Sequence, residues 1–312
     1  MSGPAVVVAG NLNVDLTLAH VPDWPKWGTE VVLERADRRA GGVAHAACAL
    51  AALGVAVTVV AAVGQDADAA FLRSWLARAG VDASGVAVHP ERATGLSVAV
   101  VRADGERTFF TLPGALLAEA PADLLARAGA FRPRWLLLSG LMLLPDGPPE
   151  PIVAEMARLS RLGTRVAVDV GWDPLGWPPR RLHLARSVLE AADLALLNAD
   201  EARALGWEDA RPRRSGAKVA VKRGPLGARV GDDGGGWDVP ATPAVAVDTV
   251  GAGDVWNAAF LAASLAGQSA VPAAARANRV AALYVAAPPG PDRYPSRERL
   301  EPQSGEPAAP AG

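Results

Sequence analysis

With one cysteine, Cys48, the chain cannot form an intramolecular disulfide. That cysteine lies in an alanine-rich pattern and reads as core packing in a reducing compartment. An excess of one charge is also missing: 31 Lys and Arg face 33 Asp and Glu, a net of −2. A balance this even leaves no footprint for nucleic acid or an anionic membrane. No apolar run approaches the roughly 18 residues of a membrane span. The opening MSGPAVVVAG has no basic stretch ahead of its short apolar run, so a cytoplasmic protein without leader or membrane anchor is expected. Several motifs are absent too. There is no G-x-x-x-x-G-K-[ST], no G-x-G-x-x-G after a strand and no G-x-S-x-G, which argues against a Walker-type phosphate loop, a nicotinamide dehydrogenase and an α/β-hydrolase. Four scattered histidines and one cysteine do not make a zinc set.

What is present alternates. AVVVAG at 5–10 reads as a first strand, GGVAHAACALAALG at 41–54 as a helix closed by Gly54, VAVTVVAAVG as a strand, and DADAAFLRSWLARAG as a second helix ending on glycine. LLLSG, RVAVDV, LALLNADE and KVAVKRG supply further strands, with helices around 150–163, 181–191 and 255–266. The pattern predicts an α/β protein with a mostly parallel sheet flanked by helices. In such sheets ligands gather beyond the carboxyl ends of the strands, which makes Asn11, Ser139, Asp169, Asn198 and Gly224 candidates to line one crevice.

Two segments, about 12–40 and 94–111, break the alternation with strand-like runs and no helix, the second turning at Ala103-Asp104-Gly105. They predict a small β-sheet, read either as a lid that keeps water from a group-transfer site or as a surface for pairing two copies. Residues 1–300 are expected to form a single domain. The Pro, Gly and Ala-rich tail 301–312 reads as disordered.

VDTVGAGDVWNAAF at 247–260 carries the chemistry. Gly251 and Gly253 permit a tight turn, and the following helix, read as Val255 to Leu265, points unpaired amides at the loop, where they can bind an anion. A carboxylate at the edge of such a site suits deprotonation of a hydroxyl attacking phosphorus, and Asp254 takes that role here. On local spacing alone, a plain N-cap on a glycine turn explains it as well.

DTVGAGDVWNAAF resembles the D-T-x-G-A-G-D-x-F signature of the ribokinase-like, or PfkB, family of carbohydrate and nucleoside kinases. Other segments resemble that family in order: VVVAGNLNVDLTL its first strand and substrate aspartate, GGVAHAACALAALG its double-glycine helix, TG…DGERTFF its lid hairpin, NADEA its N-x-x-E motif, and VAVKRGPLGA a nucleotide-contacting strand and turn. The resemblance implies a ribokinase-like fold, a central mostly parallel sheet with helices on both faces and a small β-sheet lid. It implies Asp254 as base, with Gly251, Ala252 and Gly253 as anion hole. Asn11, Asn13, Asp15, Gly41, Gly42, His45, Arg107 and Ser139 would face the sugar. Lys222, Gly224, Gly227, Thr249 and Asn278 would lie along ATP. Asn198 and Glu201 would hold hydrated Mg²⁺, and Asp248 with Thr249 would lie where several members bind a monovalent cation such as K⁺. Taken alone, Asn198 and Glu201 are equally a strand-end residue and a first-turn acid favoured by the helix dipole.

There are departures. The family's G-G-x-x-x-N places an asparagine on sugar hydroxyls, and here the segment is one residue short, with His45 or Ala46 at that position. His45 either replaces the amide in the pocket or is packed in the core. Val43 stands where phosphofructokinase members carry lysine, and the chain has only three lysines, which favours a neutral sugar over a phosphorylated one. Trp256 replaces the signature phenylalanine. Trp172 and Trp177 suit either stacking on a ligand or loop packing. The expected activity is ATP-dependent phosphoryl transfer to a hydroxymethyl group of a small neutral sugar, in a homodimer joined through its lids. A nucleoside kinase and a catalytically silent ligand-binding member are the alternatives.

Overall fold

The computed structural model describes residues 3–22, 24–33, 35–102 and 106–300. The expected turn at 103–105 and the tail 301–312 lie outside the described residues. The chain begins with β1 (Val6–Gly10), passes through β2 (Leu12–Val21) and β3 (Ala36–Gly42), and returns through α1 (Val43–Ala52) to β4 (Val57–Val63), α2 (Ala67–Arg78) and β5 (Asp82–Val88). A hairpin of β6 (Gly95–Arg102) and β7 (Arg107–Leu112) precedes α3 (Pro121–Gly129). Strands and helices then alternate as β8 (Trp135–Ser139), α4 (Pro149–Arg161), β9 (Arg165–Asp169), α5 (Pro179–Ala191), β10 (Leu194–Asn198), α6 (Ala199–Leu205) and β11 (Lys218–Lys222). The hairpin β12 (Ala228–Asp232) and β13 (Gly235–Val239), then α7 (Ala252–Leu265), α8 (Ala270–Ala286) and the short α9 (Arg297–Leu300), complete it.

Nine strands form one sheet in the order β13-β12-β11-β10-β9-β8-β1-β4-β5, parallel except for the β12–β13 hairpin at one edge. β1, β4 and β8 are buried at every residue, as strands covered on both faces must be, and they are built mainly of Val, Leu and Ala. Alternate residues of β1 feed two cores: Val6 and Val8 pack with α1, α2, α7 and α8, Val7 and Ala9 with α3, α4, α5 and α6. Cys48 is buried in the first, and burial pushes its thiol up to about 12, consistent with a packing role. From β1 the chain winds toward β5 on one side and from β8 toward β11 on the other. That reversal opens a crevice at the carboxyl ends of β1 and β8.

The second sheet, β3-β2-β6-β7, grows out of this switch point. Its β2 starts two residues after β1, and its β3 runs straight into α1, so two strand ends are tied to the crevice floor. A third tie is Asp66, which caps α2 through the Ala69 N–H at 2.8 Å and accepts from the Thr94 N–H and hydroxyl at the root of β6.

Three boundaries differ from expectation. Gly41 and Gly42 end β3 rather than begin α1, because their pairing with Asn13 and Leu12 extends the small sheet. β3 covers only 36–42 of the strand-like stretch from 29. α7 starts at Ala252, not Val255, capped by Gly251. α3 and α8 were not among the expected helices, whereas α6 follows Asn198 as the reading of Glu201 as a first-turn acid allows.

Gly42 adopts φ +59°, and a Cβ there would overlap the Asn11 carbonyl, whose oxygen accepts the Val43 N–H at 2.7 Å. Gly54 also has positive φ, but a Cβ there would meet nothing. In urea unfolding Gly54→Ala should therefore cost about 1 kcal/mol, the backbone penalty alone, and Gly42→Ala clearly more, about 3 kcal/mol. Equal costs would contradict the steric reading.

Candidate active site

At the crevice floor a chain of polar groups runs from the end of β1 along β2. Asn11 Nδ2 donates to Asn13 Oδ1 at 2.9 Å, and Asn13 Nδ2 donates to Asp15 Oδ1 at 2.6 Å. Asp15 lies across Gly41, where any Cβ would overlap its carboxylate. Its other oxygen, Oδ2, is 3.2 Å from His45 Nε2 on α1. With Nε2–H donating to Asp15, Nδ1 accepts from the Tyr294 hydroxyl at 3.2 Å, and the Tyr284 hydroxyl stands 3.4 Å away. His45 is 2% exposed and both ring nitrogens face protein. It is therefore not a free donor in the pocket, as the replacement for the missing amide would be; it holds Asp15. Ser139 closes the floor at the end of β8, opposite Gly10 and Asp169 in register.

The imidazole has a second function in packing. Gly251, at φ +80°, passes so close that a Cβ would be 2.7 Å from the His45 ring. Directly after it, Ala252, Gly253 and Asp254 form the first turn of α7. Asp254 is thus the third helical residue and not the N-cap. The Ala252 N–H is directed to the Thr249 carbonyl at 3.2 Å, whereas among the described residues no backbone carbonyl accepts from the N–H of Gly253 or Asp254. The open amides of the turn are therefore those of 253 and 254, a shift from the expected 251–253, because the tight turn satisfies Ala252 internally.

Facing this turn is a cluster of charge. Lys222, at the end of β11, donates to Asp169 Oδ2 at 3.1 Å and Asn257 Oδ1 at 2.9 Å, and a Cβ on Gly253 would lie 3.6 Å from its ammonium. Asn257 Nδ2 also donates to Asp169. Burial works against the ammonium, but Asp169, Glu201 and Asp254 outweigh it and hold its pKa above the ordinary lysine value. Burial, with Asp169 nearby, pushes Asp254 up to about 6 and Glu201 up to about 7. Asn198 and Glu201 make a capping box on α6: the Glu201 N–H donates to Asn198 Oδ1 at 2.8 Å, and the Asn198 N–H and side-chain amide donate back to the Glu201 carboxylate.

Asp248 lies apart from this cluster. Its Oδ2 accepts from Arg39 at 2.5 Å and Arg293 at 2.9 Å, and its Oδ1 from the Val250 N–H at 2.9 Å. The expected cation-binding carboxylate is therefore already engaged by two guanidinium groups. The small sheet reaches this loop twice, through Arg39 of β3 and through Arg107 of β7, which donates to the Thr249 hydroxyl.

On the side expected to take the nucleotide, Gly224 is exposed, but Gly227 is buried under the Val239 carbonyl and offers no surface. Asn278 is also corrected. It is buried on α8, accepting from Trp256 Nε1 at 2.7 Å and donating to the Val239 and Pro240 carbonyls, so it latches helix to loop with no polar atom spare for a base. Trp172 is exposed at the crevice side of β9 and meets Trp177 edge-on at 5.8 Å.

Residues 4–290 match the model of the pfkB family carbohydrate kinases. The chain belongs to this family. As a pfkB carbohydrate kinase it carries out ATP-dependent phosphoryl transfer to a sugar. It is 31% identical to an ATP-dependent ribose-1-phosphate kinase of Halopiger xanaduensis, over 89% of this chain and 90% of the relative. It is 29% identical to a 2-dehydro-3-deoxygluconokinase of Bacillus subtilis, over 84% and 85% of the two chains. The fold matches that of Arabidopsis thaliana ribokinase complexed with ribose and ATP, with a TM-score of 0.75, 24% identity and coverage of 96% and 97%.

Within this pfkB kinase, sequence reading missed Asn257, Arg39, Arg293 and the two tyrosines. Asn257 had a signal, since it lies one helical turn beyond Asp254 and shares its face. Arg39 had a weaker one, two residues before Gly41 on the same strand face. Arg293 had none in its local sequence.

The raised carboxyl groups set a stability signature. Between the ordinary Asp value of 3.8 and about 6, folded Asp254 holds a proton that the unfolded chain has lost, so stability falls as pH rises through that window. Asp254→Asn should melt like the parent near pH 4 and progressively higher than the parent up to about pH 6, then keep a constant advantage, as read by calorimetry. A pH-independent difference would contradict a strained carboxylate.

Proposed function

We propose that the crevice phosphorylates a hydroxymethyl group of a neutral sugar, with Asp254 as the base. The observation that carries this reading is a partly buried carboxylate, pushed up to about 6, in the first helical turn where the N–H groups of 253 and 254 meet no backbone carbonyl and the Lys222 ammonium lies beside Gly253. Such a group is ionised near neutral pH yet basic enough to take a proton. Asp15, Asn11 and Asn13 orient the sugar hydroxyls; His45 positions Asp15 from behind. As Asp254 removes the proton, the sugar oxygen bonds to the γ-phosphorus of ATP and the bond to the β,γ-bridging oxygen breaks, with ADP leaving. The Gly253 and Asp254 amides and the Lys222 ammonium stabilise negative charge on the phosphoryl oxygens.

No group of three or more His, Cys, Asp or Glu side chains among the described residues makes a ready metal cage. The donor set still fits hydrated Mg²⁺: Asp169, Glu201 and Asp254 surround a single lysine, leaving a surplus of negative charge. Asn198 and Glu201 would hold waters of an ATP-bound Mg²⁺, and that ion would supply neutralisation of the β- and γ-phosphoryl oxygens.

We place the whole of 1–300 in one kinase unit whose small sheet acts as lid, because Arg39 and Arg107 bridge it to the loop before Asp254. The same sheet would pair two copies: β7 is an edge strand exposed at every residue, with Phe110 stacked on Trp24 at 5.8 Å. ATP use and the buried Cys48 suit the cytoplasm, and no helix among the described residues is long and apolar enough to cross a membrane. A second reading, an anionic sugar, is favoured by the ribose-1-phosphate kinase relative, with Arg107 as the lid cation at the crevice.

ADP release measured over neutral sugars, sugar phosphates, sugar acids and nucleosides separates these readings. One neutral sugar should dominate, with an acidic limb near pH 6 in kcat/KM and a loss of about 10²–10⁴-fold in Asp254→Asn. Preference for a sugar phosphate, abolished by Arg107→Ala, would establish the second reading. Full activity of Asp254→Asn would contradict both.

A further inference from the structure

Three oxygens converge behind the loop that leads into Gly251: Asp248 Oδ2 and the main-chain carbonyls of Asp248 and Tyr284. All three face Arg293. Its Nη1 donates to Oδ2 at 2.9 Å, and its Nη2 donates to the Asp248 carbonyl at 2.8 Å and the Tyr284 carbonyl at 3.0 Å. The guanidinium lies 3.8 Å over the Tyr284 ring, and the side chain is 1% exposed. Arg39 adds a second guanidinium on Oδ2 and is fixed by the Thr17 hydroxyl at 2.8 Å.

A carboxylate and two carbonyls make an oxygen set of the kind a hard cation uses. Here each of those oxygens already accepts from a buried cation. A metal ion would have to displace Arg293 and then sit against Arg39, whose like charge is poorly screened at this depth. The residues present therefore do not fit the monovalent cation that the family resemblance suggests.

We propose that Arg293 is a built-in cation that replaces a monovalent metal ion and fixes the loop ahead of the anion-binding turn. The linkage is short. Arg293 holds Asp248, Asp248 Oδ1 accepts the Val250 N–H, and the Val250 carbonyl accepts the Tyr284 hydroxyl at 2.9 Å, so the residues before Gly251 are held from both sides. Arg293 touches no reacting atom and is a positioning residue. The rate part of the test rests on the kinase reading; the melting part does not.

The parent protein is compared in chloride salts of K⁺, Na⁺, Cs⁺ and tetramethylammonium at one ionic strength. Its melting temperature should agree across salts within about 1 °C, and its kcat within about twofold. Arg293→Ala opens space for an ion. It should melt lower, lose at least about tenfold in kcat with little change in the KM for ATP, and recover part of both with K⁺ or free guanidinium but not with tetramethylammonium. Arg293→Lys should retain more rate than Arg293→Ala. A parent that gains several degrees, or about tenfold in rate, from K⁺ over tetramethylammonium would overturn the proposal. So would Arg293→Ala with the parent's kcat in tetramethylammonium. Should that variant not fold, the parent salt series decides alone. A parent without turnover on any acceptor contradicts the kinase reading, and its melting series still decides the cation question.

Discussion

Gly251 turning over the imidazole of His45 is the contact on which the site depends. It brings the first turn of α7 against α1, and so places the carboxylate that follows the glycine in the same crevice as the carboxylate His45 holds. Nothing larger than glycine fits over the ring, and the backbone there adopts a left-handed turn, so sterics and conformation select the same residue. The ring is in turn fixed by Tyr294 and Tyr284, from the last part of the chain. The Asp15 end and the Asp254 end of the crevice are thereby built on one buried aromatic cluster rather than on two independent loops.

Charge around that contact is arranged in two separate sets. One, with Asp169, Glu201 and Asp254 around Lys222, is short of positive charge; burial and neighbouring negative charge raise the Glu201 and Asp254 carboxyl groups. The other, Asp248 with Arg39 and Arg293, has positive charge in excess, and the Val250 N–H and the two arginines overcome burial to hold Asp248 below the ordinary carboxylate range. The first set is suited to receive a metal–phosphate charge and to move a proton. The second is closed, its carboxylate already paired with two arginines. Only a few residues along the chain separate the two carboxylates 248 and 254, yet their environments give them opposite tendencies.

Much of this was legible in the sequence where the information is local. Strand ends that carry Asn11, Ser139, Asp169 and Asn198 do converge, because consecutive parallel strands bring their carboxyl ends to one edge. The two helix-free segments did form a separate four-stranded sheet. Where the reading failed, the deciding partner was remote. Asp248 looked like an open carboxylate because Arg39 is 209 residues away and Arg293 is 45. Asn278 looked free because its partners, Trp256 and the 239–240 carbonyls, meet it only through helix packing. His45 presented two alternatives in the sequence, ligand or core. The structure has it buried with Asp15 on its outer nitrogen, a position between the two.

The most direct measurement is ³¹P NMR of the product formed from ATP and the preferred sugar. Transfer to a hydroxymethyl oxygen predicts a phosphomonoester resonance split by two methylene protons, growing in step with ADP. An ester coupled to a single carbon-bound proton, or inorganic phosphate alone, would contradict transfer to a hydroxymethyl group at Asp254.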